Sequence, residues 1–181
     1  MNKYTIFIVM ILTLLMGCNQ VEFEKSEISI DKGDVDMNLS DDVIKDALIL
    51  ENALIKTHKE KYAGYWIDDN EDLLVLHTGL PRNDILESKK LVKSRKVIFK
   101  KVRFSLMKLQ SVKKIVQEKV IHMTDNGIKI SSININVSSN RVMIGLYGKI
   151  ETDKEKFLTY FDKGYHKYFQ FIYKEPAISN Q

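Results

Sequence analysis

Cys18 is the only cysteine in this chain of 181 residues, and it stands directly after an apolar run near the start rather than inside the body of the sequence. A disulfide framework, a CxxC redox pair and a multi-cysteine zinc cluster each need at least two thiols, so all three are excluded within one chain. The fold must be held by packing. With 44% hydrophobic residues, 29% charged and only two prolines, the chain has material for one core of ordinary size. Collagen-like, mucin-like and wholly disordered chains do not have this balance.

Asn2 and Lys3 give a short, positively charged start, Tyr4 to Met16 is almost entirely apolar, and the stretch ends Leu15-Met16-Gly17-Cys18. A helical run of about 13 residues at 1.5 Å each falls short of a hydrocarbon layer of about 30 Å, which favours a cleaved export signal over a spanning anchor. The ending resembles the lipobox of bacterial lipoproteins. In that family a diacylglycerol is transferred to the cysteine thiol, the signal peptidase cuts just before it, and the new amino terminus is usually acylated. On this sequence the resemblance implies cleavage between Gly17 and Cys18 and a lipid anchor on Cys18, with Leu15 in its usual place and Met16 a less usual occupant. It further implies residence at the cell membrane, on the extracytoplasmic face. Each buried methylene contributes about 0.8 kcal/mol, so two or three acyl chains hold a domain at the membrane essentially permanently. The competing account is an ordinary secretory signal with a chance cysteine.

Four segments are expected: a signal peptide over 1–17, a lipidated N-terminus and acidic tether over 18–39, an α+β domain over 40–175, and a tail over 176–181. Residues 19–39 carry six acids against Lys25 and Lys32, with little to build a core. As a coil, about 20 residues span on the order of 25 Å.

Ser40 is placed as an N-cap, with Asp41 and Asp42 in the first turn of a helix whose buried stripe is Val43, Ala47, Leu50 and Leu54. Tyr62 to Ile67 and Leu73 to Thr78 are strands of a hairpin, because the intervening Asp68-Asp69-Asn70-Glu71-Asp72 cannot be buried. Its acids lack the glycine and glutamate spacing of an EF-hand, which favours a solvated turn over calcium. Pro81 opens a helix running to Ser94, and Val97 to Phe104 is a strand bearing lysines. Ser105 caps a helix with Leu106, Leu109, Val112, Val116 and Val120 on one side, and Asn126-Gly127 turns the chain. The parity of the isoleucines changes between Ile130 and Ile133, so a bulge is required near Ser131-Ser132. Val142, Ile144 and Leu146 then alternate. Thr152 and Glu155 form a T-x-x-E capping box, Gly164 ends that helix, and Tyr168 to Tyr173 is the last strand. From 97 to 173 the order is β-α-β-β-α-β, which predicts a ferredoxin-like antiparallel sheet with helices on one side, preceded by a helix and a β-hairpin.

Tyr62-Ala63-Gly64-Tyr65-Trp66-Ile67-Asp68 followed by Leu73-Leu74-Val75-Leu76 resembles the glycine-and-aromatic hairpin in the pro-domains of streptogrisin-like and alpha-lytic-type serine proteases. Phe104-Ser105 leading into a leucine-bearing helix, and Val137-Ser138-Ser139-Asn140-Arg141-Val142-Met143-Ile144-Gly145-Leu146, resemble its downstream part. The resemblance spans about 40–173. It departs at Lys108, where an acidic or amide residue commonly follows the capping serine, and no protease domain is expected after Gln181. It implies binding to an exported serine protease as folding assistant or inhibitor, with the tail Glu175 to Gln181 able to enter the protease cleft as an extended strand.

No nucleophile elbow, phosphate-binding glycine loop, dinucleotide fingerprint or H-E-x-x-H occurs. His58, His77, His122 and His166 lie on separate elements. The expectation is a non-catalytic binding module without metal or cofactor. Charge is more informative. From Glu87 to Lys119 ten lysines and two arginines face two acids, while Asn19 to Asp46 holds nine acids against three lysines. Lys89, Lys90, Lys93, Arg95, Lys96, Lys100, Lys101 and Arg103 are the candidate face for anionic lipid or an anionic envelope polymer, at about 1 kcal/mol per cation near a charged membrane. The plainer account is a solvated lysine-rich face. Nucleic acid is not expected, since the run lacks interleaved aromatics.

Overall fold

The computed structural model describes residues 41–68, 70, 72–92, 96–147 and 150–174. In chain order the elements are α1 (Asp41–His58), β1 (Tyr62–Ile67), β2 (Leu73–His77), α2 (Arg82–Lys90), β3 (Val97–Lys101), α3 (Leu106–Asp125), β4 (Ile130–Asn136), β5 (Arg141–Tyr147), α4 (Ile150–Leu158), α5 (Lys163–His166) and β6 (Phe169–Lys174). The α+β class and the packing of helices against sheets are as the patterning predicts.

The pairing departs from the expectation. Two three-stranded sheets form, β1-β2-β3 and β4-β5-β6, rather than one antiparallel sheet from residue 97 onward. The order β-α-β-β-α-β is present, but β3 lies parallel to β2, with Leu73 opposite Val97 and His77 opposite Lys101. The physical reason is local. The β2-α2-β3 crossover brings β3 to its chain neighbour, and its outward Lys100 and Lys101 stay exposed at a sheet edge instead of entering a central position.

The chain thus builds one unit twice: a long helix, an antiparallel hairpin, then a helical crossover to a strand parallel with the second hairpin strand. The correspondence extends to detail. Each hairpin shifts register near its start, between Tyr62 and Gly64 and between Ile130 and Ser132. The second is the bulge demanded by isoleucine parity. Each loop is closed by an Asx side chain at the same place: Asp68 Oδ1 accepts from the Asn70 and Asp72 amides at 3.0 and 2.9 Å, and Asn136 Oδ1 accepts from the Ser139 amide at 3.1 Å.

Each unit has its own core. In the first, Ala47, Leu50 and Leu54 of α1 pack with Tyr62, Leu73, Val75 and Val97. In the second, Leu109, Val112, Val116 and Met123 of α3 pack with Val142, Ile144 and Leu146, and Phe157 lies 5.0 to 5.4 Å from the rings of Phe161, Phe169 and Phe171. Leu106 at the start of α3 belongs to the first core, and Ile135 packs against both. Gly64 completes the junction. Its φ is +101°, and a Cβ there would lie 2.8 Å from Val137 Cγ1 in the second hairpin loop. Only glycine satisfies both the backbone and the approach. At the second bulge a Cβ on Gly145 would collide with the hydroxyls of Ser131 and Ser132, which are buried without hydrogen-bond partners.

Boundaries also shift. The helix assigned a Thr152–Glu155 capping box begins at Ile150, with Glu151 and Asp153 in its first turn. It ends at Leu158 through three-residue turns from Lys156, Phe157 and Leu158, so Gly164 lies inside the separate α5 instead of stopping α4. Pro81 occupies the cap position of α2, which ends at Lys90 rather than Ser94. Val97 to Lys101 is strand, and Val102 to Phe104 leads into α3. Ser105 does cap α3, its Oγ accepting from the Lys108 amide at 3.3 Å. Ser40 lies outside the described residues.

Candidate functional site

The described members of the basic run meet different partners. Gly17, Cys18, Lys93 and Arg95 lie outside the described residues, as does the tail from Glu175. Lys90 is paired with Glu87 at 2.6 Å, and Lys96 with Asp72, whose carboxylate raises the lysine's pKa by accepting its hydrogen bond. Lys89 sits over the Phe99 ring and Lys100 over the Trp66 ring, at 5.9 and 5.6 Å from the centroids. Lys101 is exposed beside His77.

His77 is buried, and burial followed by the charge of Lys101 lowers its pKa. Its Nδ1 accepts from the Leu80 amide at 2.8 Å, so the neutral ring holds the turn into α2. Glu51 is also buried and accepts from the Tyr62 hydroxyl at 3.2 Å. Burial and the Glu51 charge raise the Tyr62 pKa and push Tyr65 up to about 12. The Tyr62 ring in turn packs within the first core. Among the described residues no three His, Cys, Asp or Glu side chains gather as a metal site.

Arg103, the last of the proposed cations, enters a different grouping. It lies 5.3 Å from the Phe104 centroid, and Arg141, at the start of β5, lies 5.3 Å from the same ring. Phe104 stacks against Tyr168 with centroids 4.3 Å apart and planes at 45°. Lys108, in the first turn of α3, and Lys167, just before β6, lie 5.7 and 5.3 Å from the Tyr168 ring. Four cations from four segments therefore surround one buried aromatic pair.

Asn140 fixes the arrangement. It is buried, takes φ of +54°, accepts from the Phe104 amide at 2.9 Å and donates to the Phe104 carbonyl at 2.8 Å. The second hairpin is thereby joined to the entry of α3. Arg141 donates to the Asn140 carbonyl at 2.8 Å and so has little freedom. The sequence pattern could not assemble this group, because Arg141 and Lys167 lie far along the chain from the lysine-rich run. The one available signal was Asn140, placed in a turn but with no reason in the sequence to be buried.

No protein-family model matches the chain, and no curated protein matches it.

Proposed function

We propose that the protein is a membrane-anchored surface lipoprotein whose α+β domain acts as a non-catalytic binding module. The observation that carries this reading is the place of Cys18: directly after Gly17, at the end of the apolar run, and about 20 residues before α1 begins at Asp41. A coil of about 20 residues spans on the order of 25 Å, enough to lift a domain clear of the headgroups. Anchoring through acyl chains also leaves both sheets and all the cationic surface available to a ligand.

Expression of the full gene in a bacterial host with labelled palmitate tests the anchor. The wild-type product takes up label and sediments with membranes, whereas Cys18→Ser takes up none and is released. An unlabelled wild-type product, or a serine variant that sediments equally, overturns the reading.

A second reading is a trans-acting inhibitor or folding assistant of an exported serine protease. It is favoured by one specific observation: the first stretch that resembles the protease pro-domains forms the β1-β2 hairpin, and Val137 to Leu146 forms the turn and most of the second strand of the β4-β5 hairpin. Failure of the full chain to inhibit or refold any exported protease of its host removes this alternative.

A further inference from the structure

We infer that the four cations around the Phe104–Tyr168 pair form a binding site for a phosphate group. The inference rests on the reading of the domain as a binding module and names the ligand chemistry; it does not depend on the lipid anchor.

Three observations lead to it. The first is that the four cations share a fixed base. Phe104 and Tyr168 are 6% and 8% exposed, and the Asn140 clamp holds the backbone of Phe104. Arg103, Lys108 and Lys167 are exposed at the rim and Arg141 is half-buried.

The second is uncompensated charge. None of the four has an ion-pair partner among the described residues, whereas Lys90, Lys96 and Lys154 elsewhere are matched by Glu87, Asp72 and Glu151. The first turn of α3 contains no acid, although the positive end of a helix dipole favours one. Four like charges beside a helix N-terminus repel one another, and a multivalent anion relieves that repulsion.

The third is the chemistry of the donors. Two guanidinium groups offer planar forks that match phosphate oxygens, and two ammonium groups add compact point charges. The rings themselves are covered and leave no open face on which a base would stack. The site therefore reads charge and oxygen geometry rather than an aromatic ligand.

The test uses the full chain in detergent micelles, titrated with inorganic phosphate at constant ionic strength against chloride, with thermal unfolding as the readout. Phosphate is expected to raise the Tm of the wild type beyond the chloride control. K108Q/K167Q, which removes two of the four charges, is expected to bind phosphate about tenfold more weakly, read as the rise in Tm above its own phosphate-free value. K108R/K167R, which keeps the charges, is expected to bind like the wild type and covers the case in which the glutamine variant folds poorly. An equal response of wild type and K108Q/K167Q to phosphate, or a wild-type response no larger than that to chloride, overturns the inference. A second titration with glycerophosphoglycerol separates the sources. Tighter binding of this diester points to a lipid headgroup or wall phosphodiester, and tighter binding of inorganic phosphate points to the free ion. Loss of the anchor in the Cys18→Ser variant leaves all these results unchanged, so the two readings fail separately.

Discussion

Substituting Asn140 should damage the molecule more than any other change confined to a turn. Its side chain accepts from the amide and donates to the carbonyl of Phe104, at 2.9 and 2.8 Å, in a buried position. Asn140→Ala removes both bonds and leaves two backbone groups to find new partners. At about 1 kcal/mol for each bond, and somewhat more where a buried group stays unsatisfied, the loss is about 2 to 3 kcal/mol. Alanine must also adopt the φ of +54° that asparagine tolerates, which adds about 1 kcal/mol. Asn140→Gly loses the bonds without the backbone strain, so it should cost about 1 kcal/mol less than alanine. Asn140→Asp keeps the acceptor toward the amide and places an oxygen against the Phe104 carbonyl, and should fall near alanine. Denaturant unfolding at neutral pH measures all three. A loss of about 3 kcal/mol corresponds to a fall in Tm on the order of 10 °C. If Asn140→Ala costs less than about 1 kcal/mol, the clamp does not join the hairpin to α3. If glycine and alanine are equal, the left-handed backbone contributes nothing.

Gly64→Ala should cost about 2 kcal/mol or more, since it adds strain at φ +101° to a clash with Val137; Val137→Ala in the same chain should recover only part of this, and full recovery would show that the backbone term is absent. The lowered pKa of His77 gives a pH dependence with a definite sign. The native state favours the neutral ring, so this stability is complete above the ordinary value of 6.5 and is lost as pH falls below it. Urea unfolding should therefore show a drop on the acid side that His77→Gln reduces, and an equal drop in the variant would refute the assignment. At the alkaline end the signs reverse. Tyr65, pushed to about 12, and Tyr62, raised well above its ordinary value by burial and Glu51, contribute stability that is complete below pH 10 and lost as pH rises through their native values. Ultraviolet titration of the folded protein should find these phenols ionising last, and Glu51→Gln should lower the Tyr65 midpoint. Ionisation of every tyrosine near pH 10 would contradict the buried Glu51–Tyr62 bond.

Much of this architecture is legible locally and little of it globally. The stripe Val43, Ala47, Leu50, Leu54 gives α1 because burial follows helical spacing. The misaligned isoleucines give the β4 bulge because side-chain parity leaves no other way to keep Ile133 and Ile135 facing the core. Pairing across the chain is a different matter. Nothing in Val97 to Lys101 distinguishes a strand lying beside β2 from one lying beside β5, so the two-sheet arrangement was not readable from periodicity. The doubled unit was hidden for a related reason. Burial requires only apolar side chains at matching positions, and Ile67 opposite Leu73 serves one hairpin as Ile135 opposite Val142 serves the other.

The candidate site shows the same limit. A run of lysines is visible in sequence, but Lys90 and Lys96 pair with Glu87 and Asp72, and Lys89 and Lys100 lie over separate rings. Among the described residues of the run, Arg103 and Lys108 join the cluster around Phe104 and Tyr168, and their companions Arg141 and Lys167 come from β5 and the approach to β6. Charge density along a chain and charge density in space are different quantities, and a ligand responds to the second.

Mass spectrometry of the N-terminal peptide from membrane-bound protein made in a bacterial host tests the central claim most directly. The account predicts a peptide that begins at Cys18 and carries a diacylglyceryl thioether, with residues 1–17 gone. A peptide with an unmodified Cys18 thiol, or one that still contains Leu15-Met16-Gly17, would contradict it.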